Sequence, residues 1–145
     1  MSPDPSFGRY IWPRDLIDAM WVAGWRDADK LMRGAATVGL ESNFYESIVG
    51  VNPDGSRDRG IWQINDRAHP KCTDAIAFDY QAATRWAFEN IYKPAGYEYG
   101  AWAAYTRKLD PFLRGTSADP DVRAKVVYAC EAVGNFLKQR YGVLA

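Results

Sequence analysis

LESNFYESIVGVNPDGSRDRGIWQIN (Leu40–Asn65) decides how this chain is read. It carries two carboxylates, Glu41 and Asp58, 17 residues apart, with the turn signal Asn52-Pro53-Asp54-Gly55-Ser56 between them. Asn, Pro, Asp and Gly each favour a tight reversal for a separate physical reason, so the segment reads as a β-hairpin. Its strands are Ser47–Val51, which contains Ile48, Val49 and Val51, and the return Arg57–Gly60. A hairpin of this size cannot stand alone in water and must lean on helices.

Those helices are legible on both sides. Pro13 opens one over Pro13–Ala23, apolar at Leu16, Ile17, Met20 and Trp21 and stopped by Gly24. A second runs from Asp27 to Leu40, where the small run Gly34-Ala35-Ala36 permits close packing, and Glu41 falls at its end. A third spans Phe78–Ile91 before Pro94 and Gly96, and a shorter one covers Tyr97–Thr106 and carries Trp102. Asp110-Pro111 and Gly115-Thr116-Ser117 read as a connection. The last helix starts cleanly at Asp119-Pro120 and stops at Gly142. Residues 1–9 are rich in Pro and Gly and read as loose. The sum is one α+β domain over residues 1–145, predominantly helical, with one small hairpin lining a cleft.

Composition narrows the function. The 145 residues balance 18 basic against 18 acidic side chains, so no electrostatic attraction to nucleic acid is built in. His69 is the one histidine, and no Cys or His cluster has metal-ligand spacing, so neither metal nor cofactor is expected. Cys72 and Cys130 are too few for a disulfide scaffold and read as free thiols, with one pairing left open. No stretch is long and apolar enough to span a membrane, and MSPDPSFGRYIWPRD lacks the basic start and apolar centre of a signal peptide. Aromatic residues make up 14%, including six Trp and nine Tyr, which suit either a core or a sugar-binding cleft.

Two carboxylates in unlike surroundings can cleave a glycosidic bond if one stays protonated while the other stays charged. Glu41 follows an apolar helix, precedes Phe44 and sits at the negative end of a helix dipole, all of which favour its acid form. Asp58 lies among Ser56, Arg57 and Arg59, which favour its ionised form. A Glu at a helix end and an Asp near a turn are also ordinary surface residues, and spacing alone leaves both readings open. Arg57, Arg59 and Arg67 read as a solvated face, His69 as a loop residue that touches substrate at most, and Trp62 as core.

The same stretch resembles the lysozyme family, above all its c-type branch. Glu41-Ser42-Asn43-Phe44 is similar to the segment carrying that family's catalytic acid. Asn52, Asp54-Gly55-Ser56 and Asp58 are similar to the hairpin carrying its second carboxylate, at the same interval. Gly60-Ile61 and Gln63-Ile64-Asn65 resemble the strand exit that lines its sugar subsites, and Ala101–Tyr105 the stretch whose Trp packs on the acid. The similarity is specific over residues 41–65 and weaker over Phe78–Tyr105.

The resemblance implies a lysozyme-like fold and a muramidase acting on peptidoglycan, with Glu41 and Asp58 as catalytic residues and Asn52, Gln63, Asn65 and Trp102 as substrate-binding residues. This carboxylate pair is a standard worked case of unlike environments, so the assignment of roles is carried over. The Glu-Ser and Gly-x-x-Gln-Ile signatures are shared with lytic transglycosylases, which need only the Glu and leave a 1,6-anhydro end. A non-catalytic glycan-binding module is a third reading. Three departures from the animal enzymes stand out: few cysteines, neutral charge, and Ala68-His69 where the family has an aromatic pair. Together with the missing signal peptide they suggest a monomeric phage enzyme, made in the host cytoplasm and delivered to the wall through a holin or on the virion.

Overall fold

The computed structural model describes residues 3–142. Helices α1 (Pro13–Ala23), α2 (Ala28–Ser42), α4 (Tyr80–Ala87) and α6 (Pro120–Tyr141) pack around one core, joined by short helices α3 (Asp74–Ala77) and α5 (Asp110–Leu113). A three-stranded antiparallel sheet, β1 (Val49–Val51), β2 (Arg57–Arg59) and β3 (Ile64–Asn65), lies to one side in the order β1-β2-β3. The architecture is α+β, predominantly helical with one small sheet, as the sequence suggests. Among the described residues no helix is long and apolar enough to cross a membrane.

The capping signals act as read. Pro13 occupies the first turn of α1, and the Gly24 N–H closes it on the Met20 and Trp21 carbonyls. Asp119 accepts from the N–H groups of Asp121 and Val122 to start α6, and Gly142 ends it in the left-handed region. Several expectations are corrected. The third helix is divided: Asp79 accepts from the N–H groups of Gln81 and Ala82 and so starts a new helix in the middle of the expected one. Its end widens into a π-helical turn over Phe88–Tyr92. No helix covers 97–102. Tyr97 takes φ +63°, and Tyr99 is drawn fully into the core, its hydroxyl donating to the Lys30 carbonyl at 2.6 Å. Helix begins only at residue 103 and passes through a π-helical turn, Tyr105–Leu109, into α5, so Asp110-Pro111 is helical rather than a connection.

Two further corrections concern the N-terminus and the sheet. Residues 3–9 are held down: Asp4 caps a 3-10 turn at Pro5–Phe7, its N–H donates to the Tyr45 hydroxyl, and Phe7 packs on Tyr45 at 5.2 Å. Residues 1 and 2 of the segment expected to be loose lie outside the described residues. The expected hairpin has a third strand, β3, too short to show a period in sequence. Cys72 and Cys130 are both free thiols, the first buried and the second exposed.

The core is a run of aromatic rings. Trp25 stacks on Trp62 at 5.6 Å with planes 9° apart, and Trp62 meets Trp102 at 5.3 Å. Trp25 also touches Phe88 and Tyr92, each at 4.8 Å, and Tyr92 leads on to Tyr99. Offset and tilted pairs of this kind stabilise beyond the area they bury. Two N–H bonds orient the run: Trp62 Nε1 to Thr84 Oγ1 at 2.9 Å, and Trp102 Nε1 to the Trp62 carbonyl at 2.8 Å.

Arg59 is the largest departure from the sequence reading. It is 1% exposed, beneath the sheet rather than on a solvated face. Its guanidinium donates to the carbonyls of Ile64 (3.0 Å) and Cys72 (2.8 Å) and to Asp74 (3.0 Å), tying β2 to β3 and to the loop before α3. Gly60, next along, has φ +74°, and a Cβ there would lie 2.0 Å from the Ala77 carbonyl oxygen. Gly55, at the hairpin tip, has φ +85° with nothing within 4 Å. Substituting each by Ala therefore separates strain from collision. Gly55→Ala is expected to cost about 1–2 kcal/mol for the left-handed backbone. Gly60→Ala is expected to cost more than about 3 kcal/mol, because backbone must also move. Urea unfolding of both variants checks the difference.

Candidate active site

Glu41 lies in the last turn of α2, one residue beyond the expected end of that helix. Two successive non-glycine residues then take left-handed conformations, Asn43 (φ +50°) and Phe44 (φ +66°). The Asn43 N–H closes the helix on the Gly39 carbonyl, and the reversal sends Phe44 back against Gly39, where a Cβ would meet its ring at 2.7 Å. The chain thus turns sharply away after Glu41 and leaves its side chain on the opposite side of the helix end.

Across the cleft, the segment after Trp102 supplies the one hydrogen bond Glu41 receives among the described residues: Ala104 N–H to Oε1 at 3.2 Å. Burial pushes the Glu41 pKa above the ordinary carboxylate range. The Ala104 bond and the positive charge of Lys108 oppose that rise, and the negative charge of Asp58 adds to it. Lys108 sits on the π-helical turn that begins at Tyr105. The negative charge of Asp58 thus reaches Glu41 and favours its protonated form.

Asp58 occupies the central strand, half-buried, with Gly50 and Asn65 opposite it on the two neighbouring strands. Its polar setting differs from the expectation. Side chains alternate along β2, so Arg57 and Arg59 point away from it and pair with Asp66 and Asp74. What Asp58 receives instead is the Asn65 amide, donating to Oδ1 at 2.9 Å. Oδ2 faces Gly50, whose missing side chain would point at Gln63 Oε1 (3.3 Å) and Asp58 Oδ2 (4.0 Å). A Cβ at position 50 would press on Gln63 Oε1 and stand in ordinary contact with the Asp58 carboxylate.

The remaining singled-out residues fall into place as follows. Asn65 is fully engaged: its amide nitrogen serves Asp58 and Ser56 Oγ, and its oxygen accepts from Arg67 and Ala68 N–H. Gln63 takes φ +48°, donates to the Ile48 and Gly60 carbonyls and keeps its oxygen toward Gly50. Asn52 donates to Ser56 across the turn. Trp102 is 4% exposed with its Nε1 engaged, so it cannot offer a ring face to a sugar, contrary to its expected substrate contact; it forms wall, not floor. Trp62 is core, and His69 packs edge-on against Trp86 at 5.2 Å. Arg67 clamps the hairpin tip through Asp54. No group of three His, Cys, Asp or Glu side chains among the described residues converges as a metal site.

Sequence reasoning missed Ala104, Lys108 and Gly50. Ala104 acts through its backbone, which no side-chain motif records. Gly50 was within reach, because a turn over Asn52–Ser56 places residue 50 across from residue 58.

Residues 21–106 match a protein family described as a lysozyme like domain. No curated protein and no solved structure matches the chain significantly.

The charges around Glu41 generate a titration experiment. A carboxyl whose native pKa exceeds its unfolded one binds its proton more tightly in the folded state, so it weakens the fold as pH rises through the native value. Glu41→Gln is therefore expected to gain stability over the parent progressively between about pH 4.5, the unperturbed Glu value, and neutrality. In the parent, ¹³C NMR should place the Glu41 midpoint above that value, Asp58→Asn should move it down, and Lys108→Met should move it up. A Glu41 midpoint indifferent to both substitutions would contradict the arrangement described.

Proposed function

The chain belongs to the lysozyme-like domain family, and from that premise we propose that it is a muramidase, hydrolysing the β-1,4 bond between N-acetylmuramic acid and N-acetylglucosamine in peptidoglycan. Glu41 protonates the departing glycosidic oxygen. With Oε1 held by Ala104 N–H, Oε2 carries the proton and points it into the cleft. Asp58, fixed by Asn65, presents Oδ2 past Gly50 to the anomeric carbon, where it stabilises or traps the oxocarbenium-like sugar. Glu41, then ionised, takes a proton from water as the water completes hydrolysis with retention. Gln63 Oε1 and the Asn52 side-chain oxygen are the open acceptors for sugar hydroxyl and acetamido N–H groups, and Asn65 acts by positioning Asp58.

The observation that carries this reading is the asymmetry of the pair: one carboxyl driven toward its acid form by burial and by its neighbour's charge, the other held by a donated amide hydrogen bond. A lytic transglycosylase needs only the Glu, and although some of them carry a similar hairpin, the presence of Asp58 favours hydrolysis. The neutral charge and the two free thiols favour synthesis in a reducing cytoplasm, with delivery to the bacterial wall by a holin or on a virion.

Glu41→Gln is expected to lower wall cleavage by about 10²–10⁴-fold, the usual contribution of a positioned general acid, with the fold retained. Asp58→Asn should cost a comparable amount. Mass spectrometry of the released muropeptides should find reducing ends. Anhydro ends, together with near-full activity in Asp58→Asn, would replace hydrolysis by transglycosylation.

A further inference from the structure

A second concavity lies outside the cleft. It is a groove of about 770 Å³ between the N-terminal segment and the first half of α6, with a floor of Phe7, Tyr10, Phe44 and Tyr128. The floor is fixed: Tyr10 and Phe44 meet edge-on at 6.0 Å, Phe44 and Tyr128 at 5.8 Å, and the two tyrosine hydroxyls are 3.3 Å apart. Two charged side chains flank it. Arg123 and Glu131 both line the groove, and neither has an oppositely charged partner among the described residues. Lys125, between them, is buried and already paired with Asp121 at 2.9 Å. Eight residues apart on one helix, Arg123 and Glu131 stand about 12 Å apart along its axis.

The groove also has a fixed relation to Glu41. Its rim includes Asn43, the left-handed residue that ends α2. Lys125 packs against Gly39 of α2, and Glu41, two residues on, projects about 200° further round that helix. Cleft and groove are thus on opposite sides of one helix end, separated by roughly the 10 Å width of a helix.

We propose that this groove takes the stem peptide of the peptidoglycan strand whose glycan lies in the cleft. The proposal rests on the muramidase reading of that cleft. A stem is a short peptide with alanine methyls at both ends, free carboxylates and, at its diamino acid, an ammonium group. Methyls suit the aromatic floor, and a carboxylate suits Arg123, whose guanidinium lies over the Phe112 ring at 5.9 Å without an oppositely charged partner among the described residues. Four extended residues span about 14 Å, enough to cross the roughly 10 Å helix end at Asn43 and reach the groove.

The test uses soluble glycan strands with their stems and the same strands stripped by an amidase, together with the free tetrapeptide as an NMR probe. The parent enzyme is expected to cleave stem-bearing strands about tenfold more efficiently than stripped ones, the worth of one charge-assisted contact. Arg123→Glu, and separately Ala124→Trp, which fills the groove, should bring that ratio close to one. The free tetrapeptide should shift resonances of Tyr10, Tyr128 and Val127 in the parent and not in the variants. A ratio unchanged in both variants overturns the proposal. So does the absence of tetrapeptide-induced shifts, or sedimentation showing that the groove joins two copies of the chain. If the parent cleaves neither strand, the muramidase reading fails by itself, and the tetrapeptide titration still decides the groove.

Discussion

The hydrogen bond from Trp102 Nε1 to the carbonyl of Trp62 is the constraint on which the site depends. Trp62 lies between β2 and β3, so its backbone carries the position of Asp58. Trp102 lies two residues before Ala104, so its backbone carries the N–H that holds Glu41. With Trp62 stacked on Trp25 and bonded to Thr84, the link reaches α4 as well. Close-packed rings transmit position because they have few alternative arrangements. Two carboxylates from distant parts of the fold are thereby set against each other by a core that neither of them enters.

The electrostatic asymmetry follows from which kind of element presents each acid. Glu41 comes from a helix end, where neighbouring carbonyls offer it no donors, and one N–H must arrive from across the cleft. Asp58 comes from a strand whose neighbours are a glycine and an asparagine, one giving space and the other a donor. Arg57 and Arg59, adjacent in sequence, contribute to the architecture of the sheet instead. Strand alternation converts nearness along the chain into separation in space.

Most of the helical framework was legible because its signals are local. Pro13 with Gly24 and Asp119-Pro120 with Gly142 delimit α1 and α6 to the residue. The hairpin was legible from Asn52–Ser56 for the same reason. Failures came where tertiary packing overrode local preference. Tyr99 is withdrawn from helix by a buried ring and a bond to Lys30, and Arg59 is taken under the sheet by two carbonyls that have no side-chain signature. Trp102, expected to touch the sugar, is instead buried with its N–H engaged, since exposure is a property of the fold and not of the motif. The resemblance over residues 41–65 picked out the two acids, but the donor to Glu41 is a main-chain group and stayed invisible to it.

The π-helical turn at Tyr105–Leu109 marks a boundary in the chain. Such a turn holds one residue more than an α-helical turn, so it offsets the angular phase of α5, which continues from it, by about 100° relative to the helical residues before it. Ala104, just before the turn, keeps a spacing tied to Glu41, whereas α5 is indexed from a different origin. The family match runs to residue 106, inside that turn. Upstream, insertion or loss of a residue would misalign the reacting groups. Downstream, α5 is set round its axis by the turn rather than by the register of the cleft segment.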